Sequence, residues 1–269
     1  MSKRKVIISI LLVTVIPLFL LINYGRNKYV VPILMYHSVN PQSDPLIKRL
    51  ILTPQAFERQ MRFLKEHKYN VLTLESVVRL IKDKKKIPPG TVAITFDDGY
   101  RDSYTYAFPI LKKYDLPATM FIIVREVERP QGDRLSWAEV KEMQESGIIS
   151  FGSHAIGPDP LIKIESEEGL KIQILGSKRI LEEKLGRKVN IFSYPEGMFD
   201  DRIRQLVIEA GYLAAVATNP GKGYPSDDIF ALKRLRISEK DSNSLIFAVR
   251  ISGFYTFMKE RDKSRHGKK

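Results

Sequence analysis

Between Val30 and Ile237, short apolar runs of strand-forming residues alternate with stretches whose apolar positions recur at helical spacing. This order constrains the fold more than any other feature, because a helix between two strands carries the chain back and leaves the strands parallel. The runs are Val30–Val39, Asn70–Leu74, Thr91–Phe96, Leu116–Ile123, Ile148–His154, Val189–Pro195, Leu213–Thr218 and Leu232–Ile237. Capping residues open the helical stretches: Thr53 stands before Pro54, and Ser136 has Glu139 three positions on, a capping box. No repeat or low-complexity linker interrupts the series. It predicts one α/β domain with a parallel sheet, most simply a closed or nearly closed barrel.

The ends differ. Val6 to Ile22 is apolar apart from Ser9 and Thr14, follows Lys3-Arg4-Lys5, and has no small-x-small cleavage pattern behind it. Its length sits at the short end of the roughly 17–25 residues of a spanning helix. The expectation is an uncleaved transmembrane signal anchor with the domain extracytoplasmic; cleavage would make the protein secreted. Arg26 and Lys28 on the far side reduce the charge asymmetry. The chain divides into residues 1–26 as cytoplasmic basic start and anchor, 27–240 as barrel, and 241–269 as C-terminal helix and basic tail. The formal net charge of +13 lies largely at the two ends, in Lys3-Arg4-Lys5 and from Lys259 to Lys269. That placement favours a membrane surface, and no nucleic-acid-binding motif is present. The chain has no cysteine, which excludes disulfides and thiolate metal sites.

Four strand exits carry reactive groups: His37, Asp97-Asp98-Gly99, Ser153-His154 and Tyr194-Pro195. Alternation places Asp97 and Asp98 on opposite sides of their strand, and the turn at Gly99 can bring both to one mouth. Taken singly, these residues read as an acidic turn and two hydrogen-bonded histidines. Collected at the C-terminal ends of parallel strands, they read as a metal or acid–base site, one carboxylate binding the ion and the other moving a proton.

The segments Thr95-Phe96-Asp97-Asp98-Gly99-Tyr100, Ser153-His154, Phe192-Ser193-Tyr194-Pro195-Glu196-Gly197 and Pro32-Ile33-Leu34-Met35-Tyr36-His37-Ser38-Val39 resemble the NodB-homology polysaccharide deacetylases, of carbohydrate esterase family 4 type. The Met-Tyr-His start and the Arg234-Leu235-Arg236-Ile237 close look most like the branch acting on poly-N-acetylglucosamine. The resemblance implies a distorted (β/α)7 barrel and hydrolysis of N-acetyl groups from an N-acetylated polysaccharide. It also implies a divalent metal ion, zinc first, with nickel, cobalt or iron as alternatives. Carried over by position, Asp97 is the general base and Asp98 and His154 are metal ligands. The Tyr194 backbone N–H lies in the oxyanion hole, and Trp137, Tyr100 and Pro195 meet the sugar. Trp137, at the first turn of a helix, reads equally as a core residue.

Three positions depart from the family pattern. Pro158 stands where a third ligand histidine belongs, and Asp159 and His37 are the candidates to replace it. Asn190 stands where an arginine is expected before Phe192, and no Leu-x-His occurs near the C-terminus, which leaves His37 for the late general acid. Pro158 also supports a second expectation, a non-catalytic glycan- or partner-binding derivative with a lost metal site. A glycosidase using Asp97 and Asp98 fits poorly, since neighbouring carboxyls rarely sit ~5–9 Å apart across one bond.

Overall fold

The computed structural model describes residues 31–42, 49–129, 132–218 and 228–253. The apolar segment 6–22 and the basic tail lie outside the described residues. Among the described residues no helix is long and apolar enough to cross a membrane. The elements run β1 (Ile33–Tyr36), β2 (Ser38–Val39), β3 (Ile51–Leu52), α1 (Pro54–Glu66), β4 (Asn70–Leu72), α2 (Leu74–Lys82), β5 (Thr91–Phe96) and α3 (Phe108–Tyr114). They continue with β6 (Ala118–Ile122), α4 (Val124–Glu128), α5 (Trp137–Glu145), β7 (Ile149–Ser153), α6 (Glu167–Lys171), α7 (Ser177–Leu185), β8 (Ile191–Ser193), α8 (Asp201–Glu209) and β9 (Ala214–Ala217). The series ends with β10 (Leu232–Lys233), β11 (Leu235–Arg236) and α9 (Ser244–Arg250). The caps form as read: the Thr53 hydroxyl accepts from the Ala56 N–H, and the Ser136–Glu139 capping box is complete.

Every pairing between named strands is parallel, in the order β10-β9-β8-β7-β6-β5-β1-β11. The two ends of that order are one piece of chain. Leu232 pairs with Val216 on β9, Leu235 pairs with Leu34 on β1, and Arg234 stands between them. The segment therefore stitches last strand to first, and counting β10 and β11 as one interrupted stave gives the seven of a (β/α)7 barrel. β4 is a distortion: it pairs with the first half of β5 on the edge that β6 occupies further along.

Alternation sorts the side chains. Leu34, Tyr36, Val92, Ile94 and Phe96 pack outward against the helices, while Ile33, Ala93, Phe121, Ile191 and Val216 form a second cluster inside. Leu74, Val77 and Val78 of α2 belong to that inner cluster, so α2 fills the barrel's N-terminal end. Each is fully buried, worth roughly 1.5–3 kcal/mol. That burial holds in place a helix too short to be stable alone. The Asn190 amide donates to Glu75 Oε1 on this same helix, at the end opposite the strand exits. The long helix expected from Glu165 to Leu185 is present from Glu167 to Leu185, α6 and α7 continuing one another through a π-helical stretch at Ile172–Gly176.

Candidate active site

Asp97 follows β5 on the inward parity, after Ala93 and Thr95, and is 3% exposed. Arg234, on the closing stave, meets it with two bonds of 2.6 Å, Nη1 to Oδ1 and Nη2 to Oδ2. The guanidinium also donates to Ser193 Oγ at 3.0 Å and Thr95 Oγ1 at 3.3 Å, and lies 5.4 Å from the centroid of the Phe121 ring. Gly152 makes room for that ring: a Cβ there would stand 2.5 Å from Phe121 Cε1 and 2.9 Å from the Ile191 carbonyl. Burial raises the Asp97 pKa, but Arg234, then His154 and His37, outweigh it and hold the carboxyl at about 2.

Asp98 starts on the outer parity, and its own backbone turns it back. Its φ is +70°, a left-handed conformation uncommon outside glycine, followed by Gly99 at +67°. Its Oδ1 then lies 3.4 Å from His154 Nε2. His154 Nδ1 is 2.8 Å from the Ser193 carbonyl; a carbonyl only accepts, so Nδ1 carries a proton, and Nε2 donates to Asp98 when the ring is charged and offers a lone pair on that side when it is neutral. Burial lowers the His154 pKa, but Asp97, the Asp98 bond and charge, and the Ser193 carbonyl raise it above the usual value. The exits of β7 and β8 show the same backbone signature at Ala155 (φ +66°) and Glu196 (φ +55°), so three non-glycine left-handed residues ring one mouth.

His37 leaves β1 at this mouth. It is buried, its Nδ1 has no hydrogen-bond partner among the described residues, and Asp97 and Asp98 both act on it electrostatically. Burial dominates and lowers its pKa, so the ring is neutral near pH 7. Asp102 clamps the chain beyond it, accepting from Ser38 Oγ at 2.5 Å and the Val39 N–H at 3.1 Å, and Ser103 Oγ donates to the His37 carbonyl at 3.4 Å.

The remaining expected residues are placed as follows. The Tyr194 N–H donates to the Val216 carbonyl at 3.1 Å, so an oxyanion role requires this bond to be shared or broken. Pro195 is buried beside it. Tyr100 is nearly buried, with the Arg134 guanidinium 4.0 Å over its ring. Asp159 is exposed and makes no hydrogen bond or ion pair to Asp98 or His154. Trp137 lines a groove between α5 and α7 that none of these residues lines. Arg234 is the functional residue that sequence reasoning passed over. Its signal was an arginine on the inward parity of the closing stave, two residues from Leu232.

The donors at the mouth bear on a divalent ion. Arg234 neutralises Asp97, leaving Asp98 paired with His154 Nε2, and these two would serve as ligands of a cation that takes the place of the Nε2 proton. A third His, Asp or Glu does not join them in a metal-holding group among the described residues.

Comparison with known proteins bears directly on this arrangement. The profile of the polysaccharide deacetylase family matches residues 84–215, which carry Asp97, Asp98, His154 and Tyr194. The YxkH protein of Bacillus subtilis (strain 168) is 32% identical over 213 residues, covering 79% of this chain and 73% of that one. This chain belongs to the polysaccharide deacetylase family. It is thereby a hydrolase. The poly-beta-1,6-N-acetyl-D-glucosamine N-deacetylase of Staphylococcus aureus (strain MRSA252) is 30% identical over 214 residues, 76% of this chain and 73% of the relative. Among solved family structures, the Streptococcus pyogenes deacetylase PplD in complex with acetate superposes with a TM-score of 0.71 at 30% identity, covering 78% of this chain and 94% of that one.

Proposed function

We propose that this deacetylase hydrolyses N-acetyl groups from an N-acetylglucosamine-containing polysaccharide, with a divalent ion held by Asp98 and His154, on the outer side of a membrane. The observation that carries the reading is the pairing at one mouth of a buried carboxylate fixed by Arg234 with a second carboxylate facing a tautomer-fixed histidine. When bound, the ion acidifies a water toward a pKa of ~7 and polarises the acetamide carbonyl. Asp97 accepts the proton of the attacking water, with Arg234 keeping it ionised and aimed. An aspartate held at about 2 is a weak base, so it serves only a water already made acidic. His37, neutral near pH 7 and acted on by Asp97 and Asp98, is the residue placed to take up the proton that Asp97 collects and pass it to the leaving amine. Similarity to the staphylococcal enzyme supports the polymer class, and the segment from Val6 to Ile22 supports the location.

Acetate release from N-acetylglucosamine oligomers tests this. It should vanish on chelation and in Asp98→Ala; a full rate after either change refutes the metal-dependent reading. Pro158 and the missing third ligand favour a second reading, a glycan-binding derivative without catalysis. Metal content near zero with glycan binding retained would establish it.

A further inference from the structure

The outer face of α9 is apolar where a solvated helix is polar. Leu245, Ile246 and Val249 are 78%, 49% and 61% exposed, while Phe247 and Ile251 are fully buried. At about 100° per residue the three exposed side chains share an arc of about 100°, and Phe247 points about 160° away from Val249. The helix thus has two apolar faces, one in the core and one in solvent.

The contacts that lead to α9 place it in the fold. After β11 the chain descends along α1: Glu239 accepts from the Thr53 N–H, the Asp241 carbonyl accepts from Gln60, and Phe247 meets the Phe63 ring edge-on at 5.9 Å. Thr53 caps the start of α1, beyond the strand exits. Phe63 lies in its last turn, close to β4, whose first residue Asn70 pairs with Thr91 at the start of β5. α9 therefore lies toward the end of the barrel opposite the catalytic mouth. The chain also enters at that end, at Val31, two residues before β1. Eight residues, 23–30, separate Val31 from the apolar segment Val6 to Ile22, and fully extended they span at most about 30 Å. Beyond α9 the sequence continues with Phe254, Tyr255, Phe257 and Met258, and then with six basic against two acidic residues from Lys259 to Lys269.

An apolar helix face followed by aromatic and then basic residues suits an anionic lipid surface, where apolar side chains enter the headgroup boundary and cations meet the lipid phosphates. A second copy of the chain would bring the same positive charge to the contact and be repelled. We propose that the outer face of α9, with the basic sequence that follows it, lies on an anionic membrane surface and holds the end of the barrel opposite the mouth against the bilayer. The mouth is left open to polymer away from that surface. Which leaflet is met rests on the location proposed above; the lipid contact does not.

The chain has no cysteine, so one introduced thiol carries a spin label at a single place. Val249→Cys and Lys163→Cys, the latter exposed between β7 and α6, are labelled in the full chain and placed in nanodiscs of phosphatidylcholine with or without phosphatidylglycerol. Oxygen dissolves in the bilayer and a nickel chelate stays in water, so collisions with each report immersion. Over anionic lipid the label at 249 should meet oxygen and escape nickel, and the label at 163 should meet nickel. The ratio of immersed to aqueous label at 249 should be at least about fivefold higher with phosphatidylglycerol, the worth of one basic residue at such a surface. It should fall when Lys259→Gln, Arg261→Gln, Lys263→Gln and Arg265→Gln are combined. Nickel access at 249 in both bilayers overturns the proposal. Protection from both reagents also overturns it, since it marks cover by protein: a second copy if it grows with protein concentration, the chain's own tail if it does not. A label at Thr14→Cys reads the apolar segment separately. Immersion at 14 with an aqueous 249 refutes the α9 surface alone; immersion at 249 with an aqueous 14 supports the surface and refutes the spanning segment.

Discussion

Arg234→Met removes the guanidinium bonded to Asp97, a carboxylate that is 3% exposed. The arginine side chain is itself fully buried, so its two bonds of 2.6 Å to Asp97 are made away from bulk solvent. Removing one partner of such a pair costs about 3–5 kcal/mol, because the remaining charge is stranded. At roughly 2–4 °C per kcal/mol for a domain of this size, the melting temperature falls by about 10 °C. Asp97→Asn in the same chain should recover most of the loss, since two neutral side chains leave no stranded charge, giving a coupling energy of ~2 kcal/mol or more. Arg234→Lys keeps the charge but not the fork, and should fall between. Chemical denaturation of the four proteins closes the cycle. The reasoning fails if Arg234→Met costs under ~1 kcal/mol, or if the double variant is no more stable than Arg234→Met.

Acid stability follows from the same pair. Asp97 sits at about 2, below its unfolded value near 3.9, so its contribution is complete above pH ~4 and is lost as pH falls toward 2. Arg234→Met should lack that component in an acid-unfolding series. His154 has the opposite sign: its raised pKa contributes stability below pH ~6.5 that disappears as pH rises through the folded value, which proton NMR of chelated protein locates above 6.5. His37→Ala should lower acetate release without reducing zinc occupancy, and exposed Asp159→Ala should change neither; a fall in occupancy, by metal analysis, in either variant assigns that residue the third ligand position and, for His37, overturns its proton role. Gly152→Ala places a methyl 2.5 Å from Phe121 and 2.9 Å from backbone, and should cost about 1–3 kcal/mol in denaturant melts.

The strand and helix order, the caps at Thr53 and Ser136, and the gathering of His37, Asp97, Asp98, His154 and Tyr194 at strand exits were all legible in the sequence. Each depends on local periodicity or on the direction of a strand, and both are carried by a few neighbouring residues. Tertiary structure decided the rest. Arg234 lies 137 positions from Asp97, and nothing local says that a stave closing the barrel will aim its guanidinium at the exit of β5. The same closure leaves the Tyr194 amide in the β8–β9 ladder and carries Asn190 to the plug helix α2. It also leaves Trp137 in an outer groove instead of against the catalytic pair. A sequence can name the groups that reach a barrel's mouth, because alternation is periodic. Which of them face one another depends on how the staves are registered around the ring, and that is settled only when the last strand meets the first.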